Sequence, residues 1–348
     1  MGDTDEIPLH TLSFDDFSDM VMEATVNFLL IERSLGPWSV WHCALDSIVL
    51  QFGAEGGSKI LHGISRPDAL GFILQDRQIS DHLIFDGHIL QSEDFVVLPP
   101  GSDFTFATTG SHRWMSVTMP VGLFEAHAVA IGRSDLARIG KEKRVISPPK
   151  QLLDCFTASA AGAAALVRNR GMSALKGPRQ ELVSGLLNAL SAAITGSYND
   201  VSLPTRKSRS TSDAMTKALE YVRGQQWGGT TVEDLASAAD VTSRTLLRMF
   251  RQQLGIGPAS YLKMRQLNIV RRALRGKLGS SSTITNIMSE HGVTEFGRFA
   301  SEYRALFGER PSDTVARSRV QIERRMRLDS TIELAEDTLR SAASSPRR

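Results

Sequence analysis

Between Met22 and about Met119 the apolar residues come in short runs: "SIVLQF", "ALGFIL", "DFVVLPP", "DFTFATT" and "RWMSVTM". Gly56-Gly57, Arg66-Pro67, Asp86-Gly87 and Pro99-Pro100-Gly101 punctuate them, and runs of this length between such turn signals predict β-strands. Their even spacing predicts an antiparallel sandwich or barrel. From Val121 the period lengthens. "LFEAHAVAIGRSDLARIG", "KQLLDCFTASAAGAAALVRN" and "PRQELVSGLLNALSAAIT" carry apolar residues at helical spacing. Gly196 to Ser212, "GSYNDVSLPTRKSRSTS", is polar and basic at its end, which predicts a linker. Beyond it every segment predicts helix. "DAMTKALEYVRG" closes at Gly224, "TTVEDLASAAD" opens on the capping-box pair Thr231 and Asp234, and "TSRTLLRMFRQQLG" stops at Gly255. Pro258 opens "PASYLKMRQLNIVRRALRG", and "TITNIMSEHG" and "TEFGRFASEYRALFG" follow. The tail from 318 to 348 predicts partial helix that frays at "SAASSPRR".

Part of this pattern is written twice. "MFRQQLGIGPASY" and "EYRALFGERPSDT" stand 53 residues apart, so that Phe250 meets Tyr303, Arg251 meets Arg304, Gly255 meets Gly308 and Pro258 meets Pro311. Two copies indicate a duplicated module rather than a solenoid. Each copy reads as helix, turn, helix. Leu235, Ala236, Val241, Leu246 and Phe250 supply the apolar points of the first, and Met288, Ser289, Val293, Phe299 and Tyr303 those of the second, with Gly292 in its turn. Two helices that cross steeply over a small shared core leave the outer face of the second helix free to enter a major groove. On that face of the first copy lie Arg244, Thr245, Leu247, Arg248 and Arg251. Arginine suits bidentate contact with guanine and with phosphate. Phe250, Tyr303 and the G-x-x-P pairs would serve a plain helical bundle equally well. The duplication, the basic outer face and the upstream linker together favour DNA binding.

Composition sharpens this division. A chain of 348 residues with net charge +2 has room for two domains. The small net charge hides an asymmetry: residues 1–204 hold 15 basic against 23 acidic side chains, and residues 205–317 hold 18 against 10. The repeated module carries the basic excess, which points to a polyanion. No run approaches the ~18 apolar residues of a spanning helix. The acidic N-terminus lacks a secretory pattern, and Glu6 stands where a myristoylation signal wants Ser or Thr, so a cytoplasmic protein is expected. Cys43 and Cys155 make neither a disulfide framework nor a zinc quartet and read as buried small hydrophobes. No catalytic triad, phosphate loop or zinc-protease signature is present, so neither enzymatic activity nor a cofactor is expected.

Residues 213–317 resemble the DNA-binding domain of the AraC/XylS transcription regulators, with both modules and the intervening helix matching in order. "GRFASEYRALFGERPSDT" is similar to the branch that includes the ethanolamine-operon regulator. The resemblance implies two helix-turn-helix units joined by the helix from Pro258 to Arg275, with the reader helices in successive major grooves about 34 Å apart. Carried over residue by residue, it implies Arg244 and Arg248 as base contacts and Thr245 and Arg251 nearer phosphate. Leu247 stands where the family often has a polar reader and would touch a thymine methyl. In the second reader helix it implies Phe296, Gly297, Arg298 and Ser301, with Arg304 on phosphate. Ser301 replaces a frequent Arg, which makes the first module the stronger reader. Arg265, Arg271, Arg272 and Arg275 on the joining helix read as structural or solvated.

The acidic first half fits the family's effector-binding and dimerisation region. "GHILQSEDFVVLPPGSDF" resembles the second half of a cupin barrel, but Phe104 stands where metal-binding cupins have His, and no His-x-His pair precedes it. His42, His62, His82, His88, His112 and His127 are scattered and read as ordinary strand or loop histidines rather than metal ligands. The expected fold is therefore an α+β multidomain chain. A β-rich cupin-like barrel over 1–120 would bind an effector, and a helical segment over 121–195 would dimerise the chain through an apolar stripe that includes Leu186 and Leu190. A linker over 196–212, an all-α double helix-turn-helix domain over 213–317 and a basic, partly disordered tail over 318–348 would follow. Trp38, Trp41, His42, Phe72 and Trp114 are the candidate effector-pocket residues. The expected function is a ligand-responsive activator whose partners are double-stranded DNA, a small molecule and RNA polymerase. The alternatives are a cupin-type metal-dependent enzyme and an effector-independent architectural DNA binder.

Overall fold

A computed structural model describes residues 12–34, 36–75, 83–170, 179–203, 210–225, 229–276 and 283–320. His82 and the tail beyond 320 lie outside the described residues. The chain divides into two compact units: residues 1–224 with 230–261, and residues 225–229 with 262–348.

The first unit is built on two antiparallel sheets. One has the order β1 (Ala24–Leu30), β4 (Lys59–Ser65), β9 (Asp103–Thr108), β6 (Leu83–Phe85) and β7 (His88–Leu90). The other has the order β12 (Asn199–Ser202), β11 (Arg144–Ser147), β8 (Phe95–Leu98), β5 (Ala69–Gln75), β10 (His112–Pro120), β3 (Ile48–Glu55) and β2 (Ser39–Leu45). A short helix, α1 (Phe14–Met20), packs Phe14 and Phe17 against Phe28 and Trp38. The hairpin between β6 and β7 turns through Asp86 and Gly87, both at positive φ, the backbone that an Asp-Gly pair supplies.

Two cores follow from this arrangement. Between the sheets, Leu83, Phe85, Phe104 and Phe106 meet Val96, Leu98 and Val145. The outer face of the seven-stranded sheet buries Leu50, Phe72, Val97 and Val117 beneath α2 (Val121–Ala130), α3 (Lys150–Arg170) and α4 (Arg179–Thr195). A sheet covered on both faces needs apolar residues at successive positions, which accounts for unbroken runs such as "ALGFIL" and "FVVL".

Several expectations change here. The stripe through Ala160, Ala164, Leu186, Leu190 and Ile194, expected to form a dimer interface, is buried against the chain's own sheet. The helical reading from Val121 to Gly140 breaks at Gly132, whose φ of 72° ends α2, and a 3-10 helix follows at Ser134–Lys141. β11 and β12 fall in stretches read as helix and linker. β12 and the buried Leu203 extend the sheet into the expected linker. Cys43 is buried, and burial pushes its thiol up to about 11. Cys155, however, is exposed, because the flanking Leu153 and Phe156 turn toward the sheet.

The first unit also holds α5 (Ser210–Gly224), α6 (Val232–Ala238), α7 (Ser243–Leu254) and the start of α8 (Pro258–Gly276). α7 packs against β6 and β9. Tyr261 is buried beside His62 of β4, with 3.3 Å between its hydroxyl and Nε2. Burial, with Arg223 nearby, pushes the His62 imidazole down to about 3. The second unit comprises the rest of α8, α9 (Ile284–Glu290), α10 (Phe296–Phe307) and helical residues 311–320.

Candidate nucleic-acid interface and ligand cavity

In the first module Thr231 caps α6 through a full capping box: its Oγ1 accepts from Asp234 N at 3.1 Å, and Asp234 Oδ2 accepts from Thr231 N at 2.8 Å. The turn passes through Asp240 at φ 54°, and Val241 N donates to Ala236 O at 3.0 Å. Thr242 then caps α7, accepting from Thr245 N at 3.2 Å. Leu246, Met249, Phe250 and Leu254 point inward, and Gly255 at φ 73° closes the helix. Arg244, Arg248 and Arg251 fall at i, i+4 and i+7, so they form one exposed stripe. With Leu247 and Gln252 they line a single shallow recess. Thr245 is half-buried, and its hydroxyl lies 3.0 Å from that of Thr242, so it belongs to the cap.

The second module repeats the design with a longer turn and without a side-chain cap at the start of its second helix. Thr283 caps α9, Val293 N donates to Met288 O at 3.1 Å, and Gly308 at φ 75° ends α10. The repeat is 52 residues in the first helix and 53 in the second, because the turn before α10 is one residue longer. The buried pair equivalent to Leu235 and Ala236 is therefore Ile287 and Met288. Ser289, expected at the helix crossing, is exposed. Phe299, Tyr303 and Leu306 form the inner face of α10. Arg271 is buried there: Nη1 reaches Glu309 Oε1 at 2.9 Å, and its guanidinium lies 4.4 Å from the Phe307 ring centre.

The outer face of α10 exposes Phe296, Gly297, Arg298, Ser301 and Arg304. Arg298 is engaged by its own helix, with Nε donating to Glu302 Oε1 at 3.2 Å and Nη1 to Glu295 Oε2 at 3.4 Å. Phe296, Ser301 and Arg304 share a groove with Thr285 and Arg310. Thr285, Arg310 and Gln252 were missed in the sequence. The signal for Arg310 was available in its place beside the G-x-x-P turn, but those turns read as caps.

A cavity of about 90 Å³ lies in the first unit between the two sheets. Its walls are mostly apolar, with Phe28, Leu61, Leu83, Phe104 and Phe106 among them. Trp114 and Phe104 reach it across glycines: a Cβ on Gly53 or Gly63 would lie 2.4 Å from the opposing ring. At one end Glu55 Oε1 accepts from Trp114 Nε1 at 2.9 Å, and its Oε2 lies 2.8 Å from His112 Nε2 and against Lys59 Nζ. Lys59 Nζ also donates to Thr108 Oγ1 at 3.3 Å, and burial pushes its ammonium well below the usual lysine range.

Of the candidate pocket residues, Trp114 lines this cavity. Trp38 packs in the α1 cluster and donates Nε1 to Ser34 Oγ at 2.7 Å. Phe72 alternates to the opposite face from Gly71 and Ile73 and packs on Phe95 and Phe124. Trp41 packs on Phe52 beside the helix-covered core, and His42 is exposed on β2. Among the described residues no group of three or more His, Cys, Asp or Glu is placed to hold a metal ion, and no helix is long and apolar enough to cross a membrane.

Two helices around a four- or five-residue turn, repeated, define a helix-turn-helix protein, and a family described as a helix-turn-helix domain matches residues 235–317. The chain is 32% identical over 100 residues to the XylDLEGF operon transcriptional activator 2 of Pseudomonas putida, a match covering 29% of this chain and 64% of that protein. It is 29% identical over 106 residues to another XylDLEGF operon transcriptional activator of that organism, covering 30% of this chain and 33% of the relative. The matches thus span less than two thirds of either relative. Among solved structures, the AraC-like transcriptional activator CuxR aligns over 70% of this chain and 86% of its own at 15% identity, with a TM-score of 0.36. The chain carries a helix-turn-helix domain over residues 235–317.

Proposed function

We propose that this protein is a sequence-specific transcription regulator of the activator type. It reads two successive major grooves with α7 and α10 and responds to a small molecule held between its sheets. The observation that carries this reading is the exposed stripe of Arg244, Arg248 and Arg251 on α7, which has the side-chain chemistry for guanine edges and phosphates. Arg304 and Arg310 supply phosphate contacts beside α10. The proposed DNA-binding domain extends over 213–317, with the sheets and α2–α4 as the effector domain. RNA polymerase is the partner that activation requires, and the place of action is the cytoplasm. The mostly apolar cavity between the sheets favours a ligand-responsive regulator over an architectural binder. The proposed role is regulatory rather than enzymatic. A homodimer through α3 and α4 is not part of the proposal, because their apolar stripe is covered.

The test is binding of the full chain to duplex DNA across a salt series. Neutralising about six phosphates gives a log–log slope near ~−5. A folded chain whose affinity for every duplex is weak and insensitive to salt would overturn the reading.

A further inference from the structure

Every charged side chain that faces the cavity has an opposite charge beside it. Arg66 at the rim lies between Glu23, at 3.0 Å, and Asp68, at 2.8 Å. Lys59 is neutralised by Glu55, whose carboxylate also lies against the Nε2 of His112 and accepts the indole N–H of Trp114. Lys59 and Glu55 are both buried, at 1% and 4% exposure. Removing two such charges from water is expensive, and a well-packed apolar pair is often at least as stable. The pair therefore calls for an explanation other than stability.

An ammonium has three hydrogens. Thr108 takes one of those on Lys59 and Glu55 lies against the same nitrogen, which leaves donor capacity at one end of a chamber whose walls are mostly apolar, with Ser116 and Thr118 among the few polar side chains. A ligand oxygen seated there would gain a charge-assisted hydrogen bond. A ligand that brought its own charge would lose its hydration and find no uncompensated counter-charge on the wall. The void of about 90 Å³ is smaller than the roughly 150 Å³ apolar cavity that takes benzene, so the ligand's buried part is no larger than a single ring.

From this geometry we infer that the cavity binds an uncharged, compact apolar molecule bearing one hydrogen-bond-accepting oxygen, such as a phenol or small alcohol, and rejects anions and cations of the same size. The inference rests on the reading of this chamber as the effector site and names the effector's class.

The test is calorimetric titration of the full chain with four single-ring probes at millimolar concentration: phenol, toluene, benzoate and benzylamine at pH 7. Phenol is expected to bind about tenfold or more tightly than toluene, the factor that a hydrogen bond to a charged donor carries. Benzoate and benzylamine are expected to give no saturable heat. In the double variant Glu55→Gln/Lys59→Met, which removes both charges together, phenol and toluene should bind within about twofold of each other. Circular dichroism checks that this variant is folded; if it is not, Thr108→Val and Trp114→Phe, which leave the ion pair in place, should each leave benzoate excluded. Benzoate or benzylamine binding as tightly as phenol would overturn the inference, as would the failure of all four probes. DNA binding is measured on the same sample without probe. A chain that binds phenol but no DNA would retire the regulator reading alone, and the reverse result would retire this inference alone.

Discussion

Arg248 and Arg298 are both exposed on the second helix of their modules, but their surroundings differ. Arg248 has no ion-pair partner among the described residues, whereas Arg298 is held by Glu295 and Glu302 and must leave both to meet DNA. Arg248→Ala should therefore cost ~1–3 kcal/mol in binding and relax base preference in one half of the site. Arg298→Ala and Ser301→Ala should each cost less. Anisotropy titrations with operator variants measure this, and a larger loss at Arg298 or Ser301 would make the second module the dominant one. His62 gives a second residue-scale prediction. Its imidazole is depressed to about 3 in the folded chain, so between that value and the ordinary 6.5 the unfolded chain binds the proton better. Stability contributed by this group is then full above pH 6.5 and declines as pH falls toward 3. The unfolding free energy from urea titrations should drop between pH 7 and pH 4 by a few kcal/mol more than in His62→Gln. Equal drops would show that the histidine is not responsible. The arginine stripe on α7 was legible because i, i+4, i+7 is a local pattern. The polar end of the cavity was not, because Glu55, Lys59, Thr108 and His112 come from four strands or their ends and meet only after the sheets have formed.

At the scale of elements, the longer strands and nearly all the helices follow the apolar periodicity, and the failures have physical causes. β11 is only four residues long, and β12 has mostly exposed side chains at a sheet edge, so neither carries a period that composition could show. The extra residue before α10 was invisible because the two first helices are too short and too unlike in side-chain size to fix their register. α3 and α4 were correctly read as amphipathic. What covers their apolar stripe is a seven-stranded sheet, whose width no local pattern discloses. Leu190 is completely buried in that contact. Leu190→Ala should lower unfolding stability by ~2–5 kcal/mol. Sedimentation of the variant should match that of the parent chain. A change in subunit number with unchanged stability would instead restore the stripe as an interface.

At the scale of the whole molecule, the sequence foretold an acidic first half and a basic helical end, and its charge and repeat carry much of the proposed DNA-binding function. It did not foretell that the first compact unit includes α6 and α7. β4 and β9 have a double position in that unit. Lys59, Leu61, Phe104, Phe106 and Thr108 line the cavity on one side of these strands. On the other, His62 Nδ1 meets Thr105 Oγ1 at 3.0 Å and His62 Nε2 meets the Tyr261 hydroxyl, while α7 packs on β9. Successive side chains of one strand, Leu61 and His62, thus belong to two different neighbourhoods. If filling the cavity raises the chain's affinity for DNA through these strands, thermodynamic reciprocity sets the size of the return effect. DNA must change affinity for the cavity's occupant by the same factor. A cell holding little of the small molecule would then retain it preferentially on those copies already seated at their operators.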